Sequence, residues 1–172
     1  MAAMPKVVTH RFHHAHGAGL NICALPDFEA FSVLDRLRRT TLKANYLMRR
    51  RATEEWLSEA ASKALGRTLG RHPTYFFLGD FSFFGDASRP VALVIPLSSL
   101  PLEAVTFTLG DSMTVVEESS RRVYDFGEMA ELFRSDDVVA PFSLSNHSGF
   151  QAHFIEVQLW GRFPFLRDSL VL

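Results

Sequence analysis

The sequence predicts a single α+β domain that spans residues 1–172. One N-terminal strand is followed by a helical block and then by several strands around one short helix, an order that favours a mixed or antiparallel sheet over alternating βαβ units. The length of 172 residues suits one domain. An apolar fraction of 47% that includes 16 phenylalanines is sufficient for a hydrophobic core.

The first half of the chain predicts one strand and then helices. Val7–Ala15 alternates as a strand, with His10 and His14 on one side and His13 on the other. Phe28–Arg39 carries an apolar residue every third position, which is typical of a helix.

Helix ends are marked by short polar residues and glycine. Asp27 is the expected N-cap of the first helix. A second helix is expected over Thr53–Leu65, capped by Thr53 and ended by Gly66, and Lys43–Arg51 upstream is compatible with helix.

The second half is rich in aromatic and β-branched residues. Thr74–Phe84 is β-prone, and the continuous apolar run Val91–Leu97 predicts a strand buried on both faces. Ala104–Thr108 and Met113–Glu117 predict a hairpin around Gly110-Asp111, in which Asp111 is the turn residue.

The C-terminal part predicts one helix and one strand. Asp125–Phe133 reads as a short helix, because Asp125 and Glu128 have the spacing of a capping box. Ala152–Trp160 is expected to be the last core strand.

Charge and cysteine content exclude several classes of function. A net charge of −1 provides no global attraction to DNA, RNA or anionic lipid. Cys23 is the only cysteine, so an internal disulfide or a cysteine-based zinc site is excluded. No apolar stretch reaches the ~18–20 residues of a membrane span, and no secretory signal is evident. We therefore expect a soluble cytoplasmic protein without membrane contact.

Four histidines lie in the segment Thr9–Gly17. Imidazole is a common metal ligand, and pairs such as His14 and His16 on one strand face could reach a single ion. A carboxylate, or His147 or His153, would have to complete the ligand set. The alternative is that these histidines are hydrogen-bonded residues of an N-terminal strand.

Three further features carry candidate chemistry. Tyr75, in an aromatic strand, could stack on a planar ring or simply belong to the core. Glu156 lies between apolar neighbours, and a buried carboxylate is costly unless it is paired or used; the alternative is a solvent-facing position. The consecutive arginines Arg49, Arg50 and Arg51 form either a phosphate-binding patch or a solvated helix flank.

In chain order, these segments resemble the mono-ADP-ribosyltransferase fold and, more loosely, the DarT-like toxins within it. Phe12-His13-His14-Ala15 is similar to the aromatic–His–x–small motif of the first strand in that family. Thr74-Tyr75-Phe76-Phe77 resembles its second motif, and Ile155-Glu156-Val157, followed by Pro164, resembles the strand of the catalytic glutamate. One departure is that Ala15 stands where a Thr or Ser is usual, which removes a hydroxyl expected near the cofactor.

The resemblance implies an enzyme that uses NAD as substrate and transfers ADP-ribose to a protein or nucleic-acid acceptor. It implies catalytic roles for Glu156, which would stabilise an oxocarbenium-like state, and for Tyr75, which would stack on nicotinamide. His13 or His14 would hold the ribose or the nicotinamide amide, and an arginine, Arg51 or one of its two predecessors, would hold the pyrophosphate. No metal is required.

Two other hypotheses remain open at this point. The phenylalanine-rich strands could form the core and partner surface of a non-enzymatic protein-interaction domain. Alternatively, His14, His16 and a later histidine could hold the metal of a metal-dependent hydrolase.

Overall fold

A computed structural model describes residues 3–13, 15–36, 43–82, 89–118, 121–135 and 154–161. This part of the chain has a mixed α+β architecture, with one antiparallel five-stranded sheet and four α-helices. In chain order the elements are β1 Val7–Phe12, α1 Asp27–Arg36, α2 Lys43–Ala64, β2 Thr74–Leu78, β3 Val91–Pro96, β4 Val105–Thr108, α3 Ser112–Val115, α4 Phe126–Ser135 and β5 Glu156–Leu159.

The strand order in the sheet is β3-β1-β2-β5-β4. The first strand of the chain therefore lies beside β2, and β2 lies beside the last described strand. Thr9 is directly opposite Phe77, and Phe77 is directly opposite Glu156. Strands that are far apart in sequence thus meet at the centre of the sheet.

Residues that are opposite each other on antiparallel strands point to the same side of the sheet. On this basis the two faces of the sheet differ in chemistry. One face is apolar and packs in a core with Met129 and Phe133 of α4. The other, which we call the polar sheet face, carries Thr9, Arg11, Tyr75, Phe77, Thr106, Thr108, Glu156 and Gln158. Helix α2 reaches this face through Arg50, whose guanidinium lies over the Tyr75 ring.

Two sequence expectations about strands are wrong. β3 is only partly buried, since it lies at the edge of the described sheet and pairs there with β1 alone. The hairpin after β4 does not form, because Asp111 caps helix α3 instead of serving as a hairpin turn. Its Oδ1 accepts a hydrogen bond from the backbone N–H of Met113 at 2.8 Å, and a short acidic side chain at an N-cap favours helix over strand.

Helix α2 is also longer than expected. It begins at Lys43 rather than near Thr53, so Thr53 is a buried residue of the helix interior and not its cap. Asp27, expected to be the N-cap of the first helix, is instead the first residue of α1. The predicted stop is confirmed: Gly66 has a φ of 63°, which only glycine adopts without strain.

The capping box of α4 is confirmed in both directions. The N–H of Glu128 donates to Asp125 Oδ1 at 2.8 Å, and the N–H of Asp125 donates to Glu128 Oε2 at 3.1 Å. β1 ends at Phe12, earlier than expected, and β5 covers Glu156–Leu159, in the C-terminal half of the predicted last strand. Among the described residues, no helix has the length and apolar character needed to cross a membrane.

His10, in β1, uses both ring nitrogens to hold the backbone. Its Nδ1 lies 2.7 Å from the carbonyl oxygen of Tyr75, and its Nε2 accepts from the N–H of Gly19 at 2.9 Å. These partners fix the neutral tautomer with the proton on Nδ1. Burial, partly offset by the hydrogen bond to Tyr75, lowers the pKa of His10 from 6.5 to about 4.

The low pKa of His10 predicts acid destabilisation. Between pH 6.5 and about 4, His10 binds a proton in the unfolded chain but not in the folded chain. The contribution of neutral His10 to the free energy of unfolding is therefore fully present above pH 6.5 and is lost as the pH falls through about 4. The loss should be about 3 kcal/mol. We expect the difference in free energy of unfolding between wild type and His10→Asn, measured in urea, to shrink by this amount from pH 7.5 to pH 4. A difference that does not change with pH would contradict the assignment.

Candidate functional site

A cleft on the polar sheet face consists of two adjoining cavities. The larger, of about 390 Å³, is lined by Glu156 and Asp111 among others, and the smaller, of about 140 Å³, reaches His13. The two cavities share the lining residues Tyr46, Arg50, Tyr75 and Arg89. The larger cavity falls within the range of small-molecule pockets.

Glu156 opens β5 and is buried against the larger cavity. Its Oε1 accepts a hydrogen bond from Gln158 Nε2 at 3.1 Å. Burial raises the pKa of Glu156, and Asp111 adds to the rise, while Arg50 and hydrogen bonds from Ser112 and Gln158 oppose it. A carboxyl group in this setting is suited to exchanging a proton nearer neutral pH than an exposed glutamate.

Arg50 lines both cavities of the cleft, as Arg89 does, and its side chain is only 10% exposed. Its Cζ lies 3.9 Å from the centroid of the Tyr75 ring, within cation–π distance. Its NH1 lies 3.7 Å from Asp111 Oδ1 and 3.4 Å from Ser112 Oγ. The guanidinium thus links helix α2, strand β2 and the start of α3.

Tyr75, like Tyr46, lines both cavities. Its hydroxyl donates to Glu54 Oε1 at 2.9 Å. Burial raises the pKa of Tyr75 well above 10, and the acidic Glu54 and Glu156 add to the rise although Arg50 opposes it. The phenol therefore remains a hydrogen-bond donor at neutral pH.

Glu54 is a functional candidate that sequence reasoning missed. Its side chain is 1% exposed. Besides Tyr75, it accepts from Asn21 Nδ2 at 2.8 Å, lies 2.7 Å from His72 Nδ1, and approaches Arg50 Nε at 3.5 Å. Helix α2 starts earlier than expected, so Glu54 falls in its middle rather than in an exposed first turn.

The sequence contained a signal that Arg50 and Glu54 are buried together. The buried side of α2 has the three- and four-residue spacing of a packed helix face, and two of its members are charged. These residues are Leu47, Arg50, Glu54, Leu57 and Ala61. Charged residues inside an apolar stripe indicate a paired internal network.

The neighbouring arginines lie elsewhere, because successive helical residues point about 100° apart. Arg51 NH1 lies 2.6 Å from Asp27 Oδ1, and its NH2 donates to the carbonyl oxygen of Leu25 at 3.0 Å. Arg51 lines a separate cavity of about 570 Å³ and is not brought together with Tyr75 and Glu156. Arg49 forms a surface ion pair with Glu117 at 2.7 Å.

His13 lies just beyond β1, on the smaller cavity. The N–H of Ala15 donates to its Nδ1 at 3.1 Å, so a neutral His13 carries its proton on Nε2. Tyr75 borders both cavities and therefore connects His13 with Glu156 along the cleft. His14 lies outside the described residues.

Within the described ranges, no group of three or more His, Cys, Asp or Glu residues is arranged to hold a metal ion. Both ring nitrogens of His10 already contact backbone groups. His14, His147 and His153 lie outside those ranges, so the metal-dependent hydrolase stays a prediction.

Comparison with protein-family models, with curated proteins and with solved structures finds no match to this chain.

Proposed function

We propose that the protein is an NAD-dependent ADP-ribosyltransferase whose active site is the cleft on the polar sheet face. The observation that carries the proposal is that Tyr75 and Glu156, from adjacent strands, line one cavity together with Arg50, while the adjoining cavity reaches His13. The motif residues of the resembled family come from β2, β5 and the end of β1, and these three strands are neighbours at the centre of the sheet.

In the proposed reaction, the bond between C1′ of the ribose and the nicotinamide nitrogen breaks, and nicotinamide leaves with the bonding electrons. A nucleophilic atom of the acceptor forms a new bond to C1′ and releases its proton to Glu156 or to water. The carboxylate of Glu156 stabilises the positive charge that develops on the ribose. The raised pKa of Glu156 suits the uptake of that proton.

The surroundings of Tyr75 restrict how nicotinamide stacks. Arg50 lies over one face of the Tyr75 ring, and the hydroxyl is held by Glu54. Nicotinamide would therefore have to contact a part of the Tyr75 ring that Arg50 does not cover. Of the three consecutive arginines, Arg50 alone lines both cavities of the cleft, so the pyrophosphate contact expected of Arg51 is assigned to Arg50.

The proposed acceptor is a protein or a nucleic acid. The net charge of −1 favours neither class. Incubation with NAD labelled in the adenine ring, in the presence of separated protein, DNA and RNA fractions, identifies which fraction becomes labelled.

Glu156→Gln should lower the rate of nicotinamide release from NAD by at least ~100-fold, because the neutral amide cannot stabilise the developing positive charge. Release is measured by chromatography with each acceptor fraction and with water alone. Glu117→Gln is the matched control, since the same change is made on a side chain that is 64% exposed. This control should retain the wild-type rate.

Equal rates in wild type and Glu156→Gln would overturn the proposal, as would absence of release with every acceptor. A thermal shift separates the remaining cases, since a ligand that binds the folded state raises the melting temperature. No shift with millimolar NAD, together with no release, would favour the non-enzymatic interaction domain.

A further inference from the structure

Beside Glu156, on the same polar sheet face but not among the residues that line the cavity, lies a connected series of buried polar side chains. Trp160 Nε1 donates to Thr106 Oγ1 at 2.8 Å, and Thr106 Oγ1 donates to Gln158 Oε1 at 3.0 Å. Gln158 Nε2 then donates to Thr108 Oγ1 at 3.0 Å and to Glu156 Oε1 at 3.1 Å. Gln158, Thr106 and Thr108 are fully buried, and Trp160 is almost so.

At the Trp160 end, the direction of the first hydrogen bond is set by a group that can only donate. An indole N–H can donate but cannot accept. Thr106 therefore accepts from Trp160, and its own hydroxyl proton is donated to Gln158 Oε1. The oxygen of the Gln158 amide is thereby directed toward Thr106.

At the Thr108 end, the direction is set by a carbonyl group that can only accept a hydrogen bond. The hydroxyl of Thr108 donates to the carbonyl oxygen of Gly110 at 2.9 Å, and a carbonyl oxygen can only accept. Thr108 has no second proton to offer Gln158, so it accepts from Gln158 Nε2. The Thr108 end therefore requires an amide orientation with the NH₂ group toward Thr108 and Glu156, and the hydrogen bond from Thr106 to Gln158 Oε1 matches that orientation.

We propose that Gln158 is the positioning residue for the Glu156 carboxylate, and that Trp160 and Thr108 together hold its amide in the donating orientation. If the amide reversed, its oxygen would face the carboxylate, and that arrangement is stable only when Glu156 is protonated and donates. Amide orientation and Glu156 ionisation are therefore coupled. The effect on ADP-ribosyl transfer rests on the proposed function, whereas the effect on ionisation does not.

The test is a carbon-13 NMR titration of the glutamate carboxyl groups, with the Glu156 signal assigned by its loss in Glu156→Gln. Gln158→Met removes the donor at nearly constant volume. The double variant Trp160→Phe with Thr108→Val keeps Gln158 but removes both groups that set its orientation. The matched control is Trp56→Phe with Thr74→Val, which changes the same residue types outside this hydrogen-bonded series.

In both Gln158→Met and the Trp160/Thr108 double variant, the Glu156 titration midpoint should rise above that of wild type, and the control should leave it unchanged. If either variant fails to fold, as judged by circular dichroism, the other decides. A midpoint equal to wild type in a folded variant overturns the proposal.

Nicotinamide release provides the second readout. Loss of one hydrogen bond to a charged group should lower kcat about 10-fold in Gln158→Met, with little change in the KM for NAD. If wild type has no activity while the midpoint shifts as expected, the proposed function fails and the positioning role stands. If activity is present and neither midpoint nor kcat changes, only the positioning role fails.

Discussion

Replacing Glu54 with leucine is expected to lower the free energy of unfolding by about 3–5 kcal/mol, the cost of breaking a buried ion pair by removing one partner. The carboxylate is 1% exposed and contacts Asn21, Arg50, His72 and Tyr75. Leucine has a similar volume, so cavity formation contributes little. The loss comes from buried donors that no longer have their acceptor.

The matched control for Glu54 is its neighbour on the same helix. Glu55 is 65% exposed and lies 3.8 Å from Arg71, so Glu55→Leu removes only a surface ion pair and should cost less than about 1 kcal/mol. Urea unfolding with a shared m-value measures both variants. If Glu54→Leu were no more destabilising than Glu55→Leu, the buried contacts of Glu54 would not stabilise the fold.

Arg50→Leu should have an effect of similar size, about 3–5 kcal/mol near pH 7.5, because it leaves buried carboxylates without their cation. The effect should also depend on pH. Without Arg50, the pKa of Glu156 rises further, since burial and Asp111 then act without the opposing charge. An acid whose folded pKa exceeds its unfolded value loses stability as the pH rises, so the cost should be smaller near pH 5 than near pH 7.5.

Arg49→Leu is the control for this prediction, since Arg49 is 56% exposed and pairs with Glu117 on the surface. It should change stability by less than about 1 kcal/mol at either pH. Urea unfolding at the two pH values measures both variants. A cost of Arg50→Leu that is equal at the two pH values would argue against coupling between Arg50 and Glu156.

The features that local spacing determines were predictable. The capping box of Asp125 and Glu128 requires residues three positions apart, and both of its hydrogen bonds are present. Gly66 ends α2 as expected, because its positive φ is a local backbone requirement. Alternation along β1 puts Thr9 and Arg11 on one side of the strand, and the structure adds Tyr75 and Glu156 to that side.

Features that depend on what an element packs against were not predictable from spacing. Val91–Leu97 reads as fully buried, but its depth in the sheet depends on how many strands pair with it. Arg50 and Arg51 are chemically identical neighbours. Only the rotation of α2 against the sheet decides that one enters the cleft and the other pairs with Asp27.

By itself, the sequence determined the α+β class, the order of most elements and two helix ends, because each depends on residues that are close together along the chain. Tertiary structure alone decided the chemistry around Glu156. Gln158 contacts Thr106 and Thr108, which are about 50 residues away along the chain, and Glu54 meets Tyr75 across 21 residues. Such contacts arise when strands from distant segments pair and exclude water, and the partner of a buried polar group is then the one that the fold brings within hydrogen-bond distance.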